Sequence, residues 1–260
     1  MKLKCTYILL ACTFIATHPA KAAVQKLPDC QTLNALWMRT YYSKLKPSWT
    51  KTPLNCSKSP ADYSSFEKIN ALTARAAYVL DKTSFTYRTQ DLPRTPIVYY
   101  GRVQAPPASM LDWVAQRIGR LIYDERATSA YATRSFYGVG EVHLTPGDYN
   151  LGAPMELGIG LAAQIIHEAR HLGFPDYSHI RCDNSGDYNC DATISEEFDQ
   201  GGSHGVAALW LAWIYKFSSW PQSEKLKAAE TVKWVLSNRI NDSYAVRNAF
   251  SLRYLGSSLK

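Results

Sequence analysis

The pattern of apolar residues predicts a mainly helical α+β fold with a small β-sheet and C-terminal helices. Two observations carry it. Helical periodicity recurs at about 65–80, 155–172 and again from 205 to the end, whereas β-prone pieces are short and confined between about 84 and 147. No period of 20 to 50 residues repeats, and no low-complexity linker divides the chain, so residues 23–260 read as one domain. With 260 residues, 46% hydrophobic and 20% charged, there is enough apolar material for a sizeable core.

The first residues, "MKLKCTYILLACTFIATHPAKAAVQK", place Lys2 and Lys4 before an apolar run from Tyr7 to Ile15, followed by Ala20-Lys21-Ala22. Basic, apolar and small-residue regions in that order are a secretory signal, here 1–22, and the run is too short to span a bilayer. A lipoprotein signal with Cys12 as the lipidated residue is the competing reading, disfavoured by the short apolar stretch before Cys12. Loss of Lys2, Lys4 and Lys21 lowers the net charge from +7 to +4, with 26 basic residues against 22 acidic. Without a dense Lys/Arg cluster, this balance favours neither a nucleic-acid partner nor a polybasic membrane patch.

Four cysteines then remain, Cys30, Cys56, Cys182 and Cys190. An even set in an exported chain suggests two disulfides, and the short loops favour Cys30–Cys56 and Cys182–Cys190 among three possible connectivities. Export thus predicts a periplasmic or secreted protein.

Along the mature chain, Leu33 to about Leu45 looks helical, and a Pro/Ser/Lys-rich stretch from Pro47 to Pro60 follows. Phe66, Ile69, Leu72, Ala76, Val79 and Leu80 share one face of a helix from about Ser65 to Leu80. "SFTYRT" and "PIVYYGRV" read as β-prone, and Pro106-Pro107 suit the entry to a helix from Ser109 to Tyr123. "FYGVGEVHLTPG" reads as a strand ending at Pro146-Gly147. A helix from about Met155 to Leu172 is stopped by Gly173 and Pro175. Residues 174–202 are polar and turn-rich, and helices at about Gly205–Phe217, Ser223–Ile240 and Tyr244–Leu255 complete the chain. "VAALWLAWIY" is apolar almost all round but too short for a membrane span, so no transmembrane segment is expected in the mature chain.

The chemistry concentrates in "IIHEARHLG", residues 165–173. On a helix, positions i and i+4 stand one above the other, so His167 and His171 can present two imidazoles to one ion. Glu168 lies beside them, where its carboxylate can take a proton from a metal-bound water without being a ligand. The segment His167-Glu168-Ala169-Arg170-His171 resembles the HExxH active-site helix of zincin-type zinc metallopeptidases, over that helix alone. The resemblance implies a zincin-like domain, Zn²⁺ as cofactor, Glu168 as the catalytic base and a peptide or protein as substrate.

A catalytic zinc also needs a third protein ligand and an open position. The metzincin pattern is not kept: the glycine comes one residue early, at Gly173, and Tyr177 stands where the third histidine would be. His179 is the next histidine and the first choice for the metal. Glu196 or Glu197 is the alternative, with Asp183, Asp191, Asp199 and His204 as further possibilities. All five histidines of the mature chain fall between 143 and 204. Tyr177, Tyr188, Arg181 and His204 are candidates for stabilising an oxyanion.

Rival readings have weaker support. Gly201-Gly202-Ser203-His204-Gly205 matches Gly-x-Ser-x-Gly, but no apolar strand precedes it and no histidine follows His204, so Ser203 reads as a helix N-cap. A closed site of Cys182, Cys190, His167 and His171 would hold a structural zinc without a water. A non-catalytic envelope or binding protein with a structural or degenerate zinc site is the non-enzymatic alternative.

Overall fold

The computed structural model describes residues 23–92, 97, 103–134, 138–149, 158–173 and 178–259. The expected signal, including Cys12, lies outside them, as do Tyr177 and most of "PIVYYGRV".

Helix α1 (Cys30–Leu36) continues through one π turn into α2 (Tyr42–Leu45), so 30–45 is helical as its periodicity requires. The Cys30–Cys56 disulfide ties the start of α1 to the Pro/Ser-rich stretch. Helix α3 (Ser65–Lys82) opens with a capping box: the Ser64 hydroxyl accepts from Glu67 N–H while Glu67 Oε2 accepts from Ser64 N–H, which satisfies two otherwise unpaired donors.

The Pro106-Pro107 region leads into a helix shorter than its periodicity suggests. Helix α4 (Met110–Ala115) ends early, and Arg120–Tyr123, expected to continue it, instead forms strand β1. The apolar spacing of Leu111, Val114, Ile118 and Leu121 serves either state. What decides is parallel pairing of β1 with β3 (Gly140–Leu144), which buries Leu121, Val142 and Leu144 completely. Gly140 permits this approach, because a side-chain carbon there would meet Arg117 C=O at 2.9 Å. Between them in sequence, β2 (Tyr131–Arg134) pairs antiparallel with the far side of β3, giving the order β1-β3-β2 with β2 at an edge. "SFTYRT" is not a strand: Phe85 makes an isolated bridge to Ser218, and a 3₁₀ turn covers Thr89–Asp91.

A short turn of helix, α5 (Pro146–Tyr149), precedes α6 (Ile159–His171), the histidine-bearing helix. Gly158 caps α6 at φ 89°, and a side-chain carbon there would fall 2.9 Å from Ala76 N, so glycine is required both by conformation and by the close approach of α3. Small residues sustain that approach: Ala74, Ala76 and Ala77 on α3 and Ala162 and Ala169 on α6 are buried.

After α6 the polar stretch contains a hairpin of β4 (Ile180–Arg181) and β5 (Tyr188–Cys190), closed by the Cys182–Cys190 disulfide. Helices α7 (Ser203–Phe217), α8 (Gln222–Asn238) and α9 (Tyr244–Leu255) follow, within two residues of their expected bounds. Helix α7 is buried nearly all round, including Trp210 and Trp213, and packs between α6, α8 and α9. The fold is therefore mainly helical α+β with a small mixed sheet. Among the described residues no helix is long and apolar enough to cross a membrane.

Candidate functional site

The last two turns of α6 place His167, Glu168 and His171 at the floor of a cavity of about 1350 Å³. The cavity runs between the edge strand β2 and helix α8, and the segment Thr128–Arg134 forms one of its walls. The His167 and His171 rings are 5.1 Å apart between centroids, as the i, i+4 spacing demands.

His179 stands against the end of the same helix. His171 Nε2 and His179 Nε2 lie 3.1 Å apart, and the His167 and His179 rings are 5.2 Å apart. Two nitrogens on one tetrahedral zinc are about 3.3 Å apart, given Zn–N bonds of about 2.0–2.1 Å, so this pair has the separation of co-ligands. His204, in the first turn of α7, adds a fourth imidazole at 4.3 Å from the His167 ring and 4.7 Å from that of His179. Among the described residues two groups of donors are close enough to hold a metal ion, His167–His179–His204 and His167–Glu168–His171; the set His167, His171 and His179 is not itself one of them but joins the two through the close His171–His179 pair.

Electrostatics favour the ligand-competent forms. Burial, then the neighbouring imidazoles of His204, His171 and His179, push His167 well below the ordinary histidine value. Burial likewise lowers His204 to about 3 despite the opposing pull of Asp191. Neutral imidazoles are what a metal binds. Burial raises Glu168 to about 8, against the hydrogen bond its Oε1 accepts from Gln164 Nε2 at 2.8 Å. Raised that far, the carboxyl is mostly protonated at pH 7 in the metal-free site, and a neighbouring cation would pull it back toward the carboxylate that a base must be. His167 and Glu168 are 8% and 2% exposed, so an imidazole and a carboxyl are buried side by side, with His171 half-buried next to them, an arrangement that is costly without a compensating partner.

The loop half of the site has its own supports. Asp191, buried just after the disulfide, places Oδ1 3.4 Å from His179 Nδ1 and accepts Gly205 N–H on Oδ2 at 2.8 Å. It thus stands behind the His179 ring at ion-pair distance, without a hydrogen bond to Nδ1, and is tied to the start of α7, the side from which carboxylates commonly support metal-binding histidines. Glycine at 202 makes this possible, since a side-chain carbon there would fall on the Asp191 carboxylate. Asn189 Oδ1 is 3.0 Å from His204 Nε2. Arg170, fully buried on the flank of α6 beside His167, donates to Gly201 C=O at 2.8 Å and Asp199 C=O at 2.9 Å, fixing the lead into α7.

The alternative ligands lie elsewhere. Glu196 is bound by Arg253 Nη1 at 2.8 and 2.9 Å, by the Tyr254 hydroxyl at 3.0 Å and by Ile97 N–H at 2.7 Å, so it anchors α9 and stands outside both donor groups. Glu197 and Asp183 also belong to neither group, and Asp199 pairs with Arg117 at 3.0 Å. His143, on β3, stacks on Tyr131 and faces Glu141 and Asp124, away from the cluster. Cys182 and Cys190 are bonded to each other, which removes the Cys₂His₂ site. Ser203 is not the cap of α7: Gly202 holds that position, and the Ser203 side chain is fully buried inside the first turn, unlike a nucleophile at an elbow. Of the oxyanion candidates, Tyr188 and His204 line the cavity, while Arg181 closes the hairpin through Gly186 C=O.

No family model, no curated protein and no solved structure matches this chain. Function therefore has to be argued from the site. Sequence reasoning gave no role to Gln164, Asn189 or Arg239. Only Asp191 carried a usable signal, an acidic residue next to a half-cystine in a stretch already suspected of approaching the metal.

Proposed function

We propose that this chain is an exported zinc-dependent metallopeptidase of zincin type. The observation that carries the reading is the 3.1 Å approach of His179 Nε2 to His171 Nε2, above the buried glutamate of the same helix. In this reading His167, His171 and His179 hold Zn²⁺, and Asp191 keeps His179 oriented. When bound, zinc supplies Lewis acidity to the scissile carbonyl and a lowered pKa to the attacking water. Glu168 accepts one proton from that water and delivers it to the leaving nitrogen as the C–N bond breaks, giving a carboxylic acid and an amine. Gln164 holds the Glu168 carboxyl in place for this transfer. The substrate backbone has a natural support in β2, which among the described residues is an edge strand, lines the cavity and can pair with an extended peptide. The two disulfides fit an oxidising compartment outside the cytosol.

One observation favours a second reading. His204 forms a donor group with His167 and His179, and four imidazoles on one ion would make a closed, structural site in a non-catalytic envelope or binding protein. Glu168→Gln and His204→Ala separate the two. The peptidase reading expects Glu168→Gln to keep zinc while losing about 10²–10⁴-fold in peptide hydrolysis, and His204→Ala to keep zinc. Full activity in Glu168→Gln, or loss of zinc in His204→Ala, would overturn it.

A further inference from the structure

Arg239 follows the last turn of α8 and lines the same cavity as the histidines. Its guanidinium lies over the Trp234 indole, 5.2 Å from the ring centroid, and no carboxylate among the described residues pairs with it. The acidic groups of the cavity are held elsewhere. Glu224 faces Lys227 at 3.5 Å, Asp148 accepts from Thr145 N–H and hydroxyl at 2.7 and 2.8 Å, and Glu168 accepts from Gln164. Glu230 lies about 13 Å back along the helix axis at 1.5 Å per residue. Arg239 C=O accepts Asp191 N–H at 2.9 Å, and Asp191 Oδ1 lies 3.4 Å from His179 Nδ1, so the backbone of Arg239 is one residue removed from the histidine cluster.

A half-buried guanidinium beside the imidazoles, and beside a divalent cation once the site is loaded, gives this end of the cavity positive charge in excess of the one buried carboxylate behind His179, Asp191. A planar fork of donors matches a carboxylate in bidentate fashion, and Trp234, 53% exposed, offers an apolar face beside it. We propose that Arg239, stacked on Trp234, binds a carboxylate of the substrate beside the metal site. The substrate class is then a peptide with an acidic group close to the scissile bond. That group is either its own C-terminal carboxylate or an acidic side chain. The inference rests on the hydrolase reading for the word substrate, but the carboxylate pocket is testable without turnover.

Calorimetric titration of the mature chain, with and without added zinc, provides the test. The probes are N-acetyl-phenylalanine, N-acetyl-aspartyl amide and the uncharged N-acetyl-phenylalanine amide. The expected result is that at least one acid binds about tenfold tighter than the amide, an advantage typical of a charge-assisted pair. The preference should disappear in Arg239→Gln and return in part in Arg239→Lys. Preference for N-acetyl-phenylalanine identifies a C-terminal carboxylate, and preference for N-acetyl-aspartyl amide identifies a side chain. Equal binding of acids and amide by the unaltered chain overturns the pocket even if Arg239→Gln does not fold. Because the zinc-free titration involves no hydrolysis, its outcome is separate from whether the chain proves to be a peptidase.

Discussion

The site has two halves built by different means. His167, Glu168 and His171 come from consecutive turns of α6, and their relative positions follow from helix geometry alone. His179 and His204 come from a loop and from the next helix, and they depend on long-range devices: the Cys182–Cys190 bond, the Asp191 carboxylate, Gly202 and the Arg170 brace. The helical half should tolerate local damage, while the loop half should fail when any one support is removed.

Breaking the disulfide is the strongest test of that contrast. Replacing Cys182 and Cys190 by serine removes a cross-link over eight residues, and the chain-entropy model gives a loss of about 2–3 kcal/mol. Urea unfolding should show the loss, and zinc affinity should fall with it. The same replacement at Cys30 and Cys56 should lower stability while leaving the affinity for zinc of the folded protein unchanged. Equal effects on zinc from both pairs would remove the distinction.

A smaller effect is expected at Asp191. Asp191→Asn keeps the shape but removes the charge behind His179, and competition with a zinc chelator should show affinity about 10–100-fold weaker. An unchanged affinity would mean that the loop half is held without it.

Far from the cavity, the α3 capping box is the control. Ser64→Ala should cost about 1 kcal/mol of stability with no change in zinc binding. Hydrogen bonds from Ser64 N–H and Asn55 hold Glu67 down to about 2. Because its folded value lies below its ordinary 4.5, its contribution is present above pH 4.5 and is lost as pH falls toward 2. Glu67→Gln should therefore flatten that part of the acid-unfolding curve.

The same contrast describes what could be read from the chain. The helical half was legible because an i, i+4 pair and a glycine stop are local signals, and α7 to α9 were legible for the same reason. Arg120–Tyr123 misled because its apolar spacing continues that of α4, and only pairing with β3 makes it a strand. Strand β2 had no signal: Tyr131-Ala132-Thr133-Arg134 does not alternate, and it is extended because β3 offers a free edge. Asn189, Gly202 and Arg239 gain their roles through contacts across the fold, which no local pattern encodes. His179 lay between these cases, named by nearness in sequence to His171, although no local pattern specifies its place beside the helix.

The central claim is that the two halves share one metal ion. Elemental analysis of the purified mature chain, unaltered and as His171→Ala, His179→Ala and Glu196→Ala, tests it most directly. About one zinc per chain is expected in the unaltered protein and in Glu196→Ala if it folds, with zinc lost from both histidine variants. A metal-free chain, or a His179→Ala variant that retains its zinc in full, would contradict the account.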